Sequence, residues 1–170
     1  MQHQFFKHTD GSFGLIADEN CLIGVIWRGE PDDVREELGR RYPASQEQPC
    51  DLLFQAWEQI VQYLAGERTE FTFPFSIKGV SSFQKRVLQA LCNCPYGATL
   101  TYGELATQAG SPKAARAVGA AMAANPLPLV IPCHRVVGKG QKLTGFSGGH
   151  GVSSKKSLLA METEQYQHRN

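Results

Sequence analysis

The chain has 170 residues, 42% of them hydrophobic, with a formal net charge of +1, which fits a folded globular protein and no disordered class. It has no apolar run of about 18 residues and no basic-then-apolar leader, so neither a membrane span nor a secretory signal is expected and a cytoplasmic setting follows. The total charge hides an asymmetry. Residues 1–81 carry 7 Lys/Arg against 13 Asp/Glu, and residues 82–170 carry 10 against 3, giving net charges of −6 and +7. A basic C-terminal half points to a polyanionic partner for that half alone.

In chain order, Phe13 to Ala17 and Cys21 to Trp27 are strand-like runs separated by the polar turn Asp18-Glu19-Asn20, which predicts a hairpin. Asp32 to Arg41 fits a short charged helix. Asp51 to Leu64 predicts a stronger one, with Leu52, Leu53, Ala56, Trp57, Ile60, Val61 and Leu64 on one face and Asp51 as its cap. Phe71, Phe73 and Phe75 alternate with polar residues, as in a half-buried strand or an extended linker. These elements make a small α/β unit. Its boundary falls in Pro74 to Ser82, where charge and periodicity both change, so domains of 1–78 and 79–170 are expected.

Beyond the boundary the pattern is helical. Ser82 is placed to cap a helix carrying Phe83, Val87, Leu88 and Leu91, and Thr101 to cap Tyr102 to Ala109. Ala109-Gly110-Ser111-Pro112 then reads as a tight turn ending in an N-cap serine and an N1 proline, before a helix from Lys113 to Ala124. Helix, glycine-bearing turn and helix is the helix-turn-helix layout, which plain helical hairpins share. The second helix is nearly all alanine, so it has few side chains able to read base edges in the major groove. It suits close backbone approach, and the single Arg116 among alanines favours contact with nucleic acid.

Chemistry concentrates in Ile131-Pro132-Cys133-His134-Arg135-Val136, where a thiol sits beside an imidazole and a guanidinium. Cationic or polarising neighbours lower a thiol pKa, so Cys133 is expected to be a reactive nucleophile. Three prolines in Asn125 to Pro132 stiffen the approach to it, and Gly138, Gly140, Gly145, Gly148 and Gly149 supply loop backbone after it. The five cysteines follow no disulfide or zinc spacing; four are read as structural, and no metal or cofactor is expected.

Tyr102, the run Ser111 to Gly119, Asn125-Pro126, Ile131 to Val136, Gly145-Phe146-Ser147-Gly148-Gly149, and Lys155 with Leu158, Leu159 and Glu162 together resemble the O6-alkylguanine-DNA alkyltransferases. The match spans about residues 82–162. Over residues 1–81 the resemblance is architectural, to that family's ribonuclease H-like domain. It implies an α+β protein: a small N-terminal α/β domain, then a helical, winged-helix-like DNA-binding domain with a helix-turn-helix.

It also implies roles. Cys133 would take the alkyl group from guanine O6, with O4-alkylthymine a further candidate substrate, once per molecule and irreversibly. His134 would activate the thiol, Glu162 would orient His134, and Tyr102 would serve the departing guanine. The partner implied is double-stranded DNA containing alkylated guanine, approached from the minor groove with the damaged nucleotide extruded. Arg116 would fill the gap, with Ala115, Lys113 and Arg135 also at the DNA. Asn125, Ser147, Val136, Pro128 and Met122 would form the pocket, in a monomer.

The chain departs from the family pattern in three places. His150 to Ser154 make the loop about two residues longer than in many relatives, Phe146 stands where tyrosine is common, and Ser157 where tryptophan often packs. Two other readings remain: a cysteine-histidine hydrolase, which would regenerate its thiol, and a non-catalytic helix-turn-helix damage sensor, which would lack the nucleophile.

Overall fold

A computed structural model describes residues 1–169. The chain divides into two compact units: Met1–Lys78 with Ser147–His150, and Gly79–Phe146 with the chain from Gly151 onward.

The first unit is a four-stranded sheet, β1 (Gln2–His8), β2 (Gly11–Ala17), β3 (Leu22–Arg28) and β4 (Gln46–Glu47), in the order β3-β2-β1-β4. The expected hairpin is β2 and β3, antiparallel, with Phe13 opposite Trp27 and Leu15 opposite Val25. The Asp18 carboxylate closes its turn by accepting from the amides of Asn20 (3.0 Å) and Cys21 (2.9 Å), the local bonding that makes Asp a turn residue. Two strands escape the hydrophobic pattern. Both β1, polar along most of its length, and the two-residue β4, which pairs with β1 in parallel, exist through pairing with neighbours.

Two helices cover the sheet. α1 (Pro31–Arg41) sets Val34 and Leu38 against Ile16, Ile23 and Ile26. At Gly24 a Cβ would stand 2.5 Å from the Tyr42 hydroxyl, so a larger residue would have to push the Tyr42 ring, which follows α1, away from the sheet. α2 (Asp51–Leu64) brings Trp57 against Phe6 and Phe13, with ring centroids at 4.7 and 5.2 Å. Cys50, not Asp51, holds its N-cap position, and Asp51 sits in the first turn, where a carboxylate favours the helix dipole. The buried face of α2 is Leu53, Ala56, Ile60 and Tyr63, with Leu52, Trp57, Val61 and Leu64 only half-buried. It also includes the polar Gln59, whose amide bonds the Thr72 hydroxyl and backbone N–H, both at 2.8 Å. Through that bond the Phe71 to Phe75 segment is tied down as an extended linker, with Phe73 buried and Phe75 exposed.

The second unit packs α3 (Ser82–Leu91), α4 (Tyr102–Gln108) and α5 (Ala115–Ala123) together, with a short parallel pair of β5 (Leu100–Thr101) and β6 (Val136–Val137), and the long α6 (Val152–Arg169). Ser81, one residue before the predicted Ser82, caps α3 by accepting from the Gln84 amide at 3.2 Å. Thr101 caps α4 in a reciprocal capping box with Glu104. α5 begins two residues later than predicted and without a serine cap. Ser111 to Ala114 form their own turn, closed by the Ala114 amide on the Ser111 carbonyl at 2.9 Å, and helical bonding starts after it. Among the described residues no helix is long and apolar enough to cross a membrane.

Candidate active site

The approach to Cys133 is a braced turn. Asn125 is buried; its amide nitrogen donates to the Ile131 carbonyl at 2.9 Å, and its amide oxygen accepts from the Leu127 N–H at 3.0 Å. The Ile131 N–H donates to the Leu127 carbonyl at 2.8 Å, closing the loop from both ends. Between them Leu129 adopts a left-handed conformation (φ 72°), a strain of order 1 kcal/mol or more for a non-glycine residue, held by this bonding and by its own burial. The chain then makes a single 3₁₀ turn, Cys133–Arg135, and enters β6.

His134 and Glu162 are both fully buried, with Nε2 of the imidazole 2.7 Å from Oε1 of the carboxylate. Burial alone would raise the Glu162 pKa, but His134 and Arg135 outweigh it and hold the carboxyl down at about 2. Burial pushes His134 below the usual imidazole value in spite of the carboxylate. The ring is therefore neutral at pH 7, with its proton on Nε2 facing Glu162 and Nδ1 as the basic nitrogen.

Arg135 corrects an expectation. It is buried rather than at a DNA surface: its Nε lies 3.0 Å from Glu162 Oε2, Nη2 lies 3.1 Å from Oε1, and Nη1 donates to the Cys94 carbonyl at 2.7 Å. Its guanidinium also lies over the Tyr96 ring. A carboxylate cannot stay charged inside a protein without such compensation, so this arginine is spent on Glu162. The Gly97 amide supplies one more donor to the carboxylate, at 3.0 Å.

The thiol departs from expectation as well. Cys133 is buried, and burial pushes its pKa up; the Asn125 amide and the Lys155 ammonium pull the other way without prevailing. The resting group is a neutral thiol that needs a base, not a standing thiolate. Lys155, fully buried, donates from Nζ to the carbonyls of Val136 (2.6 Å) and Thr144 (2.9 Å), and burial lowers its pKa. No role was assigned to it from sequence, yet a signal exists. Lys155, Leu158 and Glu162 stand at i, i+3 and i+7 on α6, one helical face, and all three are buried.

Tyr102, half-buried at the start of α4, donates from its hydroxyl to the same Thr144 carbonyl at 3.3 Å, and so joins the Lys155 side of the site. It lines a cleft of about 530 Å³ with Thr107, Ala115 and Lys139. Lys113 and Arg116 are exposed in and just before α5, while Ala115 is half-buried. Val136 and Met122 are buried and Pro128 half-buried. Ser147 belongs to the first unit, its carbonyl accepting from the Arg28 guanidinium. Among the described residues no group of three or more His, Cys, Asp or Glu could hold a metal, and all five thiols are free.

Two family models match the chain: the ribonuclease-like domain of 6-O-methylguanine DNA methyltransferase over residues 1–77 and the DNA-binding domain of the same proteins over residues 82–164. The constitutive methylated-DNA--protein-cysteine methyltransferase of Bacillus subtilis is 45% identical over 155 residues, 91% of this chain and 92% of the relative. The protein of that name from Mycolicibacterium paratuberculosis is 52% identical over 107 residues, 63% of each chain. A crystal structure of Mycobacterium tuberculosis OGT in complex with DNA superposes with a TM-score of 0.82 at 36% identity, covering 97% of this chain and 94% of that one. With both units matched in order and 45% identity sustained over nine-tenths of its length, the chain belongs to the 6-O-methylguanine DNA methyltransferase family.

Proposed function

We propose that this protein repairs DNA directly, moving a methyl or other alkyl group from O6-alkylguanine to Cys133 in one irreversible step. The observation that carries this reading is the buried His134–Glu162 pair at 2.7 Å, its carboxylate neutralised by Arg135, with the histidine directly following the buried Cys133 in the chain. In the reaction the thiol proton passes to His134 Nδ1, directly or through a solvent molecule. The sulfur attacks the alkyl carbon, a carbon–sulfur bond forms as the carbon–O6 bond breaks, and the guanine leaves with a proton delivered at its ring or oxygen. Tyr102 is the residue assigned to that proton or hydrogen bond.

Lys155 assists electrostatically, because a buried cation lowers the cost of forming thiolate where solvent is excluded. The thioether has no easy reverse step and nothing regenerates the thiol, so one molecule acts once.

DNA enters at the C-terminal unit. Its basic charge supplies the sequence-independent attraction, and α5 with Ala115, preceded by Lys113, approaches the minor groove. An O6 atom inside the stack is out of reach, so the nucleotide is extruded at a cost of a few kcal/mol and Arg116 takes its place. Asn125, Val136, Pro128, Met122 and Ser147 receive the base. The site of action is the cytoplasm, with access to the chromosome.

The test is to incubate the protein with duplex DNA containing O6-methylguanine and map the modified peptide. The expected result is one equivalent of repaired guanine per protein and a methylene mass gain on the Cys133 peptide. Multiple turnovers with unmodified protein would sink the proposal in favour of a hydrolase.

A further inference from the structure

Lys139 and Lys142 stand on a tight turn that follows β6, within the C-terminal unit. The Gly138 N–H donates to the Lys142 carbonyl at 2.8 Å, which closes the turn around Lys139, Gly140 and Gln141. Gly140 (φ 69°) and Gln141 (φ 62°) are both left-handed. For glutamine that conformation costs of order 1 kcal/mol, and its side-chain oxygen is held by the Thr99 hydroxyl at 3.2 Å, just before β5.

The base of the turn is fixed as well. Val137 pairs with Thr101 in the β5–β6 pair, and Thr101 caps α4, so the turn is set at the N-terminal end of that helix. Lys139 thereby lines the cleft of about 530 Å³ that Tyr102 and Thr107 of α4 and Ala115 of α5 also line. It is exposed, and among the described residues neither Lys139 nor Lys142 enters an ion pair. Glu104, the carboxylate in the same cleft, already accepts from the N–H and the hydroxyl of Thr101, both at 2.7 Å. The turn gains no packing from an exposed ammonium; what it gives that ammonium is a fixed place.

We propose that Lys139 is a phosphate-binding residue: it meets a DNA backbone phosphate across the cleft from α5, so that the duplex is held by Lys113 and Arg116 at the helix and by the turn facing it. The inference rests on the reading above that α5 meets DNA, and it deepens that reading by a contact that fixes position and carries no sequence information. A phosphate suits the site because a single ammonium at the tip of a turn is a point charge, matched to an anion that every groove-bound helix has beside it. Lys139 also supplies the backbone contact that Arg135, committed to Glu162, does not.

The experiment measures binding of the full chain to undamaged duplex DNA across a series of salt concentrations, for wild type, Lys139→Ala, Lys139→Arg and Lys142→Ala. Both lysines are exposed, so these substitutions leave the fold intact. Lys139→Ala is expected to lower the slope of log affinity against log salt by about one and to weaken binding alike on unrelated sequences. Lys139→Arg should restore the slope. Lys142→Ala removes the same charge from the same turn, away from the cleft, and should keep the wild-type slope. A slope unaltered by Lys139→Ala would overturn the proposal. An equal loss in the two alanine variants would overturn it too, because it would mark the diffuse field of a basic unit and no fixed contact. Failure of the wild type to become alkylated at Cys133 would instead remove the repair reading, and the salt slopes would still decide whether Lys139 touches phosphate.

Discussion

Arg135 and His134 share one acceptor: Oε1 of Glu162 lies 2.7 Å from the imidazole Nε2 and 3.1 Å from Arg135 Nη2, all inside the protein. The adjacent histidine and arginine of the cysteine motif thus converge on one carboxylate from α6, and the arginine keeps that carboxylate charged beside the imidazole.

Replacing that arginine tests its assignment. Arg135→Met leaves a buried carboxylate short of its main partner, a change of about 3–5 kcal/mol in stability by analogy with other broken buried pairs. The urea midpoint should fall accordingly, while the salt dependence of binding to undamaged duplex stays at the wild-type slope. A slope reduced by about one ion would show instead that Arg135 contacts a phosphate.

Acid should destabilise the protein in two stages. The folded His134 resists a proton that the unfolded chain accepts near 6.5, so stability begins to fall as pH drops below that value. Glu162 is held at about 2 against 4.5 in the unfolded chain, so its contribution is complete above 4.5 and is lost as pH falls towards 2. That interval of pKa corresponds to about 3 kcal/mol. Urea midpoints from pH 7 to pH 3 measure both stages, and Glu162→Gln should flatten the lower one. A midpoint independent of pH over this range would contradict the proposed network.

Lys155→Met separates catalysis from stability. Removing a buried ammonium relieves its desolvation but leaves the Val136 and Thr144 carbonyls without that donor, two effects of about 1–3 kcal/mol each and opposite sign. Stability should therefore change little. The rate of alkylation by O6-benzylguanine should fall about tenfold or more, with its rise towards alkaline pH displaced upward as the thiolate loses a cation. An unchanged pH profile would mean that Lys155 only braces the backbone.

Arg116 is exposed, so Arg116→Ala should leave the fold unchanged. Repair in duplex DNA should slow about tenfold or more, because extrusion loses the side chain proposed to take the vacated place, while free O6-benzylguanine reacts at nearly the wild-type rate. Equal slowing on both substrates would argue against a gap-filling role.

Cys133→Ala should abolish transfer and keep affinity for O6-methylguanine DNA, since the residue is buried and small. Residual transfer, read by intact mass, would locate a second acceptor.

Local chemistry made much of this protein legible from its residues. The β2–β3 hairpin, α1, α2, the Thr101 cap and the nucleophile motif are each specified within fewer than twenty consecutive residues, where periodicity, turn chemistry and adjacency act directly. What escaped was non-local. β1 and β4 carry little hydrophobic signal and exist through pairing, and the start of α5 was decided by a turn that outcompeted a good capping sequence. The chemistry divides the same way. Sequence placed a cysteine beside a histidine and an arginine, but burial decided that the thiol pKa is raised, that the imidazole pKa is lowered and that the arginine pairs with Glu162. A pKa depends on distance and on lost solvent, and both are properties of the packed chain that neighbouring letters do not encode.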